Sequence, residues 1–294
     1  MPIKRSTGSD SIFTNLKTTD MPEISIVETR NIIRAIRHKY DYDFGHSALN
    51  AFRYALDRSI HLHHLKYPEL LASRILEDDE FFDEFLFELT DSSIELFRDP
   101  ETWNLLKTEI FPAYLDSFSK PKIWLPSANN GQDLFSLLIF LKIEHPGLPV
   151  SIDISALSEK AVSKITNGVI TAKQVESAQE NYVRIFPDAD LYSFLIPHRN
   201  EYVFNFSLFR GIKISKQNQN FEPIPKDSNM ILFRNNLLNY NPEYQNNIVD
   251  KLLHALEMGG YLITGIKENI DDYISKYHSL VQVGKSEKVY KRIK

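Results

Sequence analysis

Apolar residues recur at helical spacing from Met21 to about Leu89. Ile32, Ile33 and Ile36 mark one face of a helix opening near Glu23. Ala51, Phe52, Ala55 and Leu56 mark a second; Leu70, Leu71 and Ile75 a third; Phe81, Phe82, Phe85 and Leu89 a fourth. Four short amphipathic helices in about seventy residues can close into a small bundle. After Thr90 the pattern changes to short apolar strands alternating with helices. Lys122 to Leu125 reads as a strand and Leu134 to Leu141 as a helix. Pro149 to Ile154 is a second strand, followed by a helix from about Ala156 to Ile165. Met230 to Phe233 is another strand. Tyr244 to Met258 is a helix stopped by Gly259-Gly260, and Tyr261 to Ile266 a further strand. Tyr202 to Leu208 is an additional strand candidate. Such alternation predicts an α/β fold, a Rossmann-like doubly wound parallel sheet, preceded by a small all-helical domain. Ligands of such sheets sit at the carboxyl ends of the strands.

The expected divisions are 1–20, polar, Ser/Thr-rich and poorly ordered; 21–90, helical; and 91–294, the sheet domain. The helical part carries Arg30, Arg34, Arg37, His38, Lys39, Arg53 and Arg58, which are either a solvated face or a docking surface for an acidic partner. Over all 294 residues, 34 Lys and Arg against 39 Asp and Glu leave a net charge of -5, which does not suit a general nucleic-acid binder. The absence of cysteine excludes disulfides, thiolate zinc sites and cysteine nucleophiles. His61, His63 and His64 read as a surface cluster rather than metal ligands. With no apolar run long enough for a signal peptide or membrane span, a cytoplasmic protein without membrane insertion is expected.

Four segments could carry chemistry. Pro126 to Asp133, with Gly131, joins a strand to a helix, the geometry that brings backbone close to a cofactor; a plain connecting turn is the competing reading. Asp153 stands at the expected end of the second strand, where an acid can accept from ribose hydroxyls, although Asp153 or Ser155 could equally cap the next helix. Phe233 to Asn241 crowds polar side chains past a buried strand, or is an Asn-rich turn. Leu96 to Pro100, with Arg98 and Asp99, lies at the domain junction, where ligands often bind. An isolated Arg-Asp pair there could also be a surface ion pair.

In order along the chain, Asp91–Pro100 (DSSIELFRDP), KIWLPSANNGQDLFSLLIFL, SIDIS, ILFRNNLLNYN, GGYLITGIKEN and VYKRI resemble motifs of the CheR family, which esterifies glutamates on bacterial chemoreceptors. The resemblance runs from about Glu23 to Ile293. It implies a class I methyltransferase domain that uses S-adenosylmethionine as methyl donor and no metal. It also implies a chemoreceptor, or another signalling protein with acidic acceptor sites, as partner, and a monomer. By position, it implies cofactor contacts at Arg98, Asn130, Gly131, Asp133, Asp153, Ser207, Leu208, Arg234 and Asn235. Asp133 would hold the methionyl ammonium and Asp153 the ribose. Arg98 would orient the acceptor or the cofactor carboxylate, and Asn239 or Tyr240 would line the methyl channel. Relative to the family pattern, Ser92, Ile94, Ser127, Gln132, Ser207, Asn239 and Ile266 are replacements. They leave open an alternative, a catalytically inactive CheR-like binding or regulatory module.

Overall fold

A computed structural model describes residues 24–90, 95–128, 130–218 and 221–294. The expectation for residues 1–20 and the replacements Ser92 and Ile94 lie outside the described residues.

Four helices come first: α1 (Ile26–Tyr40), α2 (Leu49–Leu62), α3 (Pro68–Glu77) and α4 (Asp79–Thr90). Helix α1 opens at a capping box. The Ser25 hydroxyl accepts from the Glu28 amide, and the Glu28 carboxylate accepts from the Ser25 amide at 2.7 Å. Ile32, Ile33, Ile36, Phe52, Leu56, Leu71, Ile75, Phe81, Phe82 and Phe85 form one core. Leu70, expected on the apolar face of α3, is instead exposed. Arg30, Arg34, Arg37, His38 and Lys39 are exposed, as are His61 and His64, while His63 turns inward and pairs with Glu88 at 2.8 Å.

The chain continues through α5 (Pro100–Leu105), a π-helical turn (Leu106–Ile110) and α6 (Phe111–Ser117) into β1 (Lys122–Leu125) and α7 (Gln132–Glu144). Nearly all of α7 is apolar and buried, as expected of a helix enclosed on every side. Next come β2 (Ser151–Ala156), α8 (Glu159–Asn167), β3 (Val169–Thr171), α9 (Ala172–Ile185), β4 (Leu195–His198), β5 (Glu201–Phe204) and β6 (Ile212–Lys216). The last part is β7 (Ser228–Phe233), α10 (Pro242–Ala255), β8 (Leu256–Thr264), α11 (Asp271–Tyr277), β9 (Leu280–Val283) and β10 (Val289–Arg292). Among the described residues, seven strands form one sheet in the order β6-β2-β1-β7-β8-β10-β9. The first five run parallel and β10 and β9 are antiparallel additions. This is a Rossmann-like fold preceded by helices. Strand alternation divides its core. Ile123, Leu125, Met230 and Leu232 pack with α5, α6, α7 and α9, whereas Trp124, Ile231 and Phe233 pack with α10 and α11.

Several boundaries differ from the sequence reading, three of them informative. Helix α10 ends at Ala255, and Gly259-Gly260 lies inside β8, where the pairing with β7 slips between Ser228 and Met230. Gly259 has φ +80°, and a Cβ at Gly260 would fall 2.8 Å from the Asn229 carbonyl. The glycines therefore serve a strand irregularity rather than a helix stop. Tyr202 to Leu208 is strand only as far as Phe204, and it belongs to a separate antiparallel sheet, β3-β5-β4. Strand β2 begins at Ser151 and extends to Ala156, two residues past its expected end.

Candidate functional site

The carboxyl ends of β1, β2 and β7 meet beneath the helical layer. After β1, Ser127 has φ +56°, and the Ala128 amide donates to the Ser155 carbonyl at 2.8 Å, which pins the turn to β2. Gly131 has φ +75°, and a Cβ there would meet the Phe135 ring at 3.0 Å and Ile165 at 3.3 Å. Backbone conformation and core packing thus require this glycine. The Gln132 side chain is buried, and among the described residues its Oε1 has no hydrogen-bond partner. Asp133 sits in the first turn of α7, where the helix dipole favours negative charge.

Arg234, at the end of β7, joins three segments. Its side chain is 1% exposed. Nη1 donates to Asp133 Oδ1 at 2.6 Å; Nη2 donates to Asp99 Oδ2 at 2.9 Å and to the Arg98 carbonyl at 2.7 Å. Among the described residues its buried Nε has no partner. The Arg98–Asp99 turn is held further by the Trp103 indole, which donates to the Arg98 carbonyl at 3.1 Å, and by the Phe97 amide, which donates to Ser136 Oγ at 2.8 Å. Phe97 (φ +53°), Asp99 (+56°) and Asn235 (+58°) join Ser127 in the left-handed region, which side chains other than glycine seldom adopt. Such strain persists where surrounding structure over-determines it and concentrates at functional sites.

Glu268, fully buried, fixes the other side of the loop. It accepts from the amides of Asn235 at 2.9 Å, Leu237 and Gly265. Burial raises its pKa above the ordinary carboxylate value, opposed by those three amides. Gly265 is needed here, because a Cβ would lie 2.6 Å from Asn235 Oδ1.

Two adjoining cavities open on this framework. The smaller, about 30 Å³, is walled by Asn130, Gln132, Asp133, Arg234, Asn235 and Asn236, among others. The larger, about 230 Å³, shares Thr90, Ser127 and Asn236 with it and adds Asn239, Tyr240 and Tyr244. Asp43, Phe44, His46 and Phe52 of the helical layer complete it. Burial pushes the pKa of the Tyr240 hydroxyl well up, so it stays a neutral phenol.

Of the residues singled out from the sequence, Asn130, Asp133, Arg234 and Asn235 share the smaller cavity, with Gly131 in the adjacent turn. Asn239 and Tyr240 line the larger. Arg98 is half-buried and joins the site through its carbonyl; its side chain lines neither cavity among the described residues. Asp153, Ser207 and Leu208 are elsewhere, a correction to the expectation of one shared cleft. Asp153 is the third of six residues in β2, paired across the sheet with Trp124 and Lys213, and faces a separate groove with them. The residue at the end of β2 is Ala156. Ser207 and Leu208 precede β6, which runs parallel to β2. They therefore lie at the amino-terminal rim of the sheet, beside Pro121 and Val150. The next helix is capped by Ser158, whose hydroxyl accepts from the Ala161 amide at 3.0 Å, not by Asp153 or Ser155.

Sequence reasoning passed over Glu268, although the quoted GIKEN segment contains it, and also Asp43 and His46. The last two sit in a loop between helices where no periodicity draws attention to them. His63, Glu84 and Glu88 place one ligand atom each within 4.8 Å of one another, but His63 pairs with Glu88 and Glu84 with Lys160.

Residues 93–289 match the sequence profile of the CheR methyltransferase, SAM binding domain. The chain belongs to the CheR methyltransferase family. A Pseudomonas putida protein whose name marks it as a methyltransferase, Cher3, is 22% identical over 258 residues, covering 87% of this chain and 94% of that one. A chemotaxis protein methyltransferase of Listeria monocytogenes is 23% identical over 197 residues, 66% of this chain and 71% of that protein. A solved class I S-adenosylmethionine-dependent methyltransferase from Listeria monocytogenes is a more distant likeness, with TM-score 0.39, 8% identity, and coverage of 92% of this chain and 89% of that one.

This CheR chain is thus an S-adenosylmethionine-dependent methyltransferase by family, and its side chains suit the amino-acid end of that molecule. Among the described residues Gln132 Oε1 and Arg234 Nε are buried without partners, and with Asp133 they are the acceptors and donor that would suit an ammonium and a carboxylate.

Proposed function

We propose that this protein transfers a methyl group from S-adenosylmethionine to glutamate carboxylates of a chemoreceptor-type protein. The observation that carries the reading is the Arg234–Asp133–Asp99 network. It holds the β1 turn, the junction turn and the end of β7 around two adjoining cavities. The cofactor supplies an activated methyl on a sulfonium. A glutamate, with an ordinary pKa of about 4.3, is already ionised near neutral pH, so the reaction needs no general base. The protein's contribution is alignment, worth on the order of 7–11 kcal/mol when complete.

In this reading Gln132, Asp133 and Asn130 hold the amino-acid end, with Gly131 shaping the turn and Arg234 and Asn235 fixing the floor. Asn239 and Tyr240 flank the acceptor, and Arg98 acts through its carbonyl on Arg234. Residues 21–90 form the receptor-facing helical domain and 91–294 the methyltransferase domain. The exposed Arg30, Arg34, Arg37 and Lys39 suit an acidic partner. A cytoplasmic monomer that engages no nucleic acid completes the proposal; among the described residues no helix is long and apolar enough to cross a membrane. One observation favours the inactive-module reading: the cavity behind the turn has room for little more than a water molecule or two.

Labelled methyl transfer to receptor cytoplasmic fragments tests the choice. Base-labile label on glutamates, abolished by Asp133→Ala, is the expected result. Calorimetric binding of S-adenosylmethionine without transfer to any acidic acceptor would establish the module instead.

A further inference from the structure

The amino-terminal rim of the seven-stranded sheet carries a groove of about 740 Å³, at the opposite end of the strands from the two cavities above. It runs between the last turn of α7, the connection to β2, the start of β1 and the loop entering β6. Leu138 and Leu141 line it and are buried, whereas Leu148, Val150, Leu208 and Phe209 pack on the same core and are only partly covered. Its walls are tied to the sheet. The Ser151 amide donates to the Pro121 carbonyl at 2.9 Å, and the Ile152 amide to the Gly211 carbonyl at 2.8 Å. Gly211 has φ +76°, and a Cβ there would overlap the Val150 carbonyl oxygen, so the two loops touch backbone to backbone. Backbone geometry thus sets the shape of the groove.

Lys120, Lys122, Lys142 and Arg210 stand around the apolar lining, and all four are exposed. Among the described residues no carboxylate lines the groove, and none of the four cations has an ion-pair partner. Glu144, at the end of α7, is taken up by Lys107 at 3.0 Å. His145 adds apolar surface rather than charge. Its ring centre lies 5.2 Å from that of Phe111 at an angle of 20°, and burial holds its pKa below the ordinary value. A chain with net charge -5 therefore concentrates positive charge around one apolar concavity. Exposed lysines alone are ordinary. Joined to a concave apolar lining without an acid, they select a ligand that is apolar and anionic together.

We propose that this groove binds an aliphatic anion, a linear apolar chain carrying a carboxylate or phosphate head. The chain lies along Leu148, Val150, Leu208 and Phe209, and the head sits among the cations at the edge. The space falls within the range of small-molecule pockets, about 300–1,000 Å³, which are mostly apolar with a few polar groups. A bilayer surface, flat on this scale, would leave the concavity unfilled, so the ligand is a free molecule and not a lipid in its membrane. The groove and the methyl-donor cavities lie at opposite ends of the strands, so occupancy here leaves the reaction cleft free. The inference stands whether or not the chain methylates a receptor.

The test is calorimetry of the full chain with decanoate and decyl phosphate, below their micelle-forming concentrations, beside decanol and decyltrimethylammonium. Both anions should bind at least about tenfold more tightly than decanol, as expected from two or more exposed charge contacts, and the cation should bind least. Lys142→Glu/Arg210→Glu reverses two exposed charges, should melt as wild type does, and should bring decanoate to the affinity of decanol or below. Lys142→Gln/Arg210→Gln should fall between. Lys66→Glu/Lys276→Glu makes the same change in net charge at exposed positions outside the groove and should keep the full anion preference. Equal binding of decanoate and decanol by wild type overturns the assignment. So does a preference that survives the charge reversal, or one lost equally in the control pair. Binding to phosphatidylserine vesicles without binding of the free decyl anions overturns it too, and gives the patch to a membrane surface instead.

Discussion

Replacing Arg234 by methionine probes the site's framework most directly. The guanidinium is 1% exposed, with Asp99 at 11% and Asp133 at 28% on its two arms. Methionine keeps much of the volume and removes both charge-assisted bonds and the bond to the Arg98 carbonyl. Two carboxylates then face a cavity without a cation. Breaking a buried ion pair from one side costs about 3–5 kcal/mol, mostly from the charge left behind. The partial exposure of Asp133 places this case near the lower end, about 3 kcal/mol. For a chain of this size the melting temperature should fall by roughly 6–12 °C. Because the cost lies in the stranded acids, adding Asp99→Asn and Asp133→Asn should recover a large part of it. Arg234→Lys, which keeps the charge but not the planar fork, should fall between. Scanning calorimetry of the four proteins in one buffer reads these values. An Arg234→Met protein melting within a degree of wild type, or a triple variant showing no recovery, would refute the claim that this network holds the three segments together.

Glu268→Gln places an amide NH2 opposite at least one backbone N–H and should cost about 1–3 kcal/mol. The pKa of Glu268 is raised by burial, so its contribution is fully present below the ordinary value near 4.5 and declines as pH rises toward the raised one. Denaturant titrations across that window should show a slope in wild type that Glu268→Gln lacks. Gly265→Ala drives a Cβ against Asn235 and should cost about 1–3 kcal/mol, with methyl transfer impaired more than the melting temperature implies, since the loop bearing Asn236 and Asn239 must shift. Circular dichroism melts beside a transfer assay separate the two effects.

The sequence by itself settled what depends on neighbours a few residues away. The 3.6-residue spacing names the faces of four helices, and Gly131 marks the turn between β1 and α7. The polar run after β7 was also visible, because side chains of that kind have no place in a packed core. What the sequence could not decide is where a strand stops and which rim a residue reaches. Apolar alternation along Ser151–Ala156 assigns faces, but the length of β2 is set by hydrogen bonding to β1 and β6, which carries it to Ala156 and leaves Asp153 mid-strand. Ser207 is likewise placed by the direction of β6 rather than by its own neighbours. Asp43 reaches the cleft only because Tyr42 and Ser47 are bonded to residues more than a hundred positions away. Periodicity reports local geometry, whereas a binding site is made where distant segments meet.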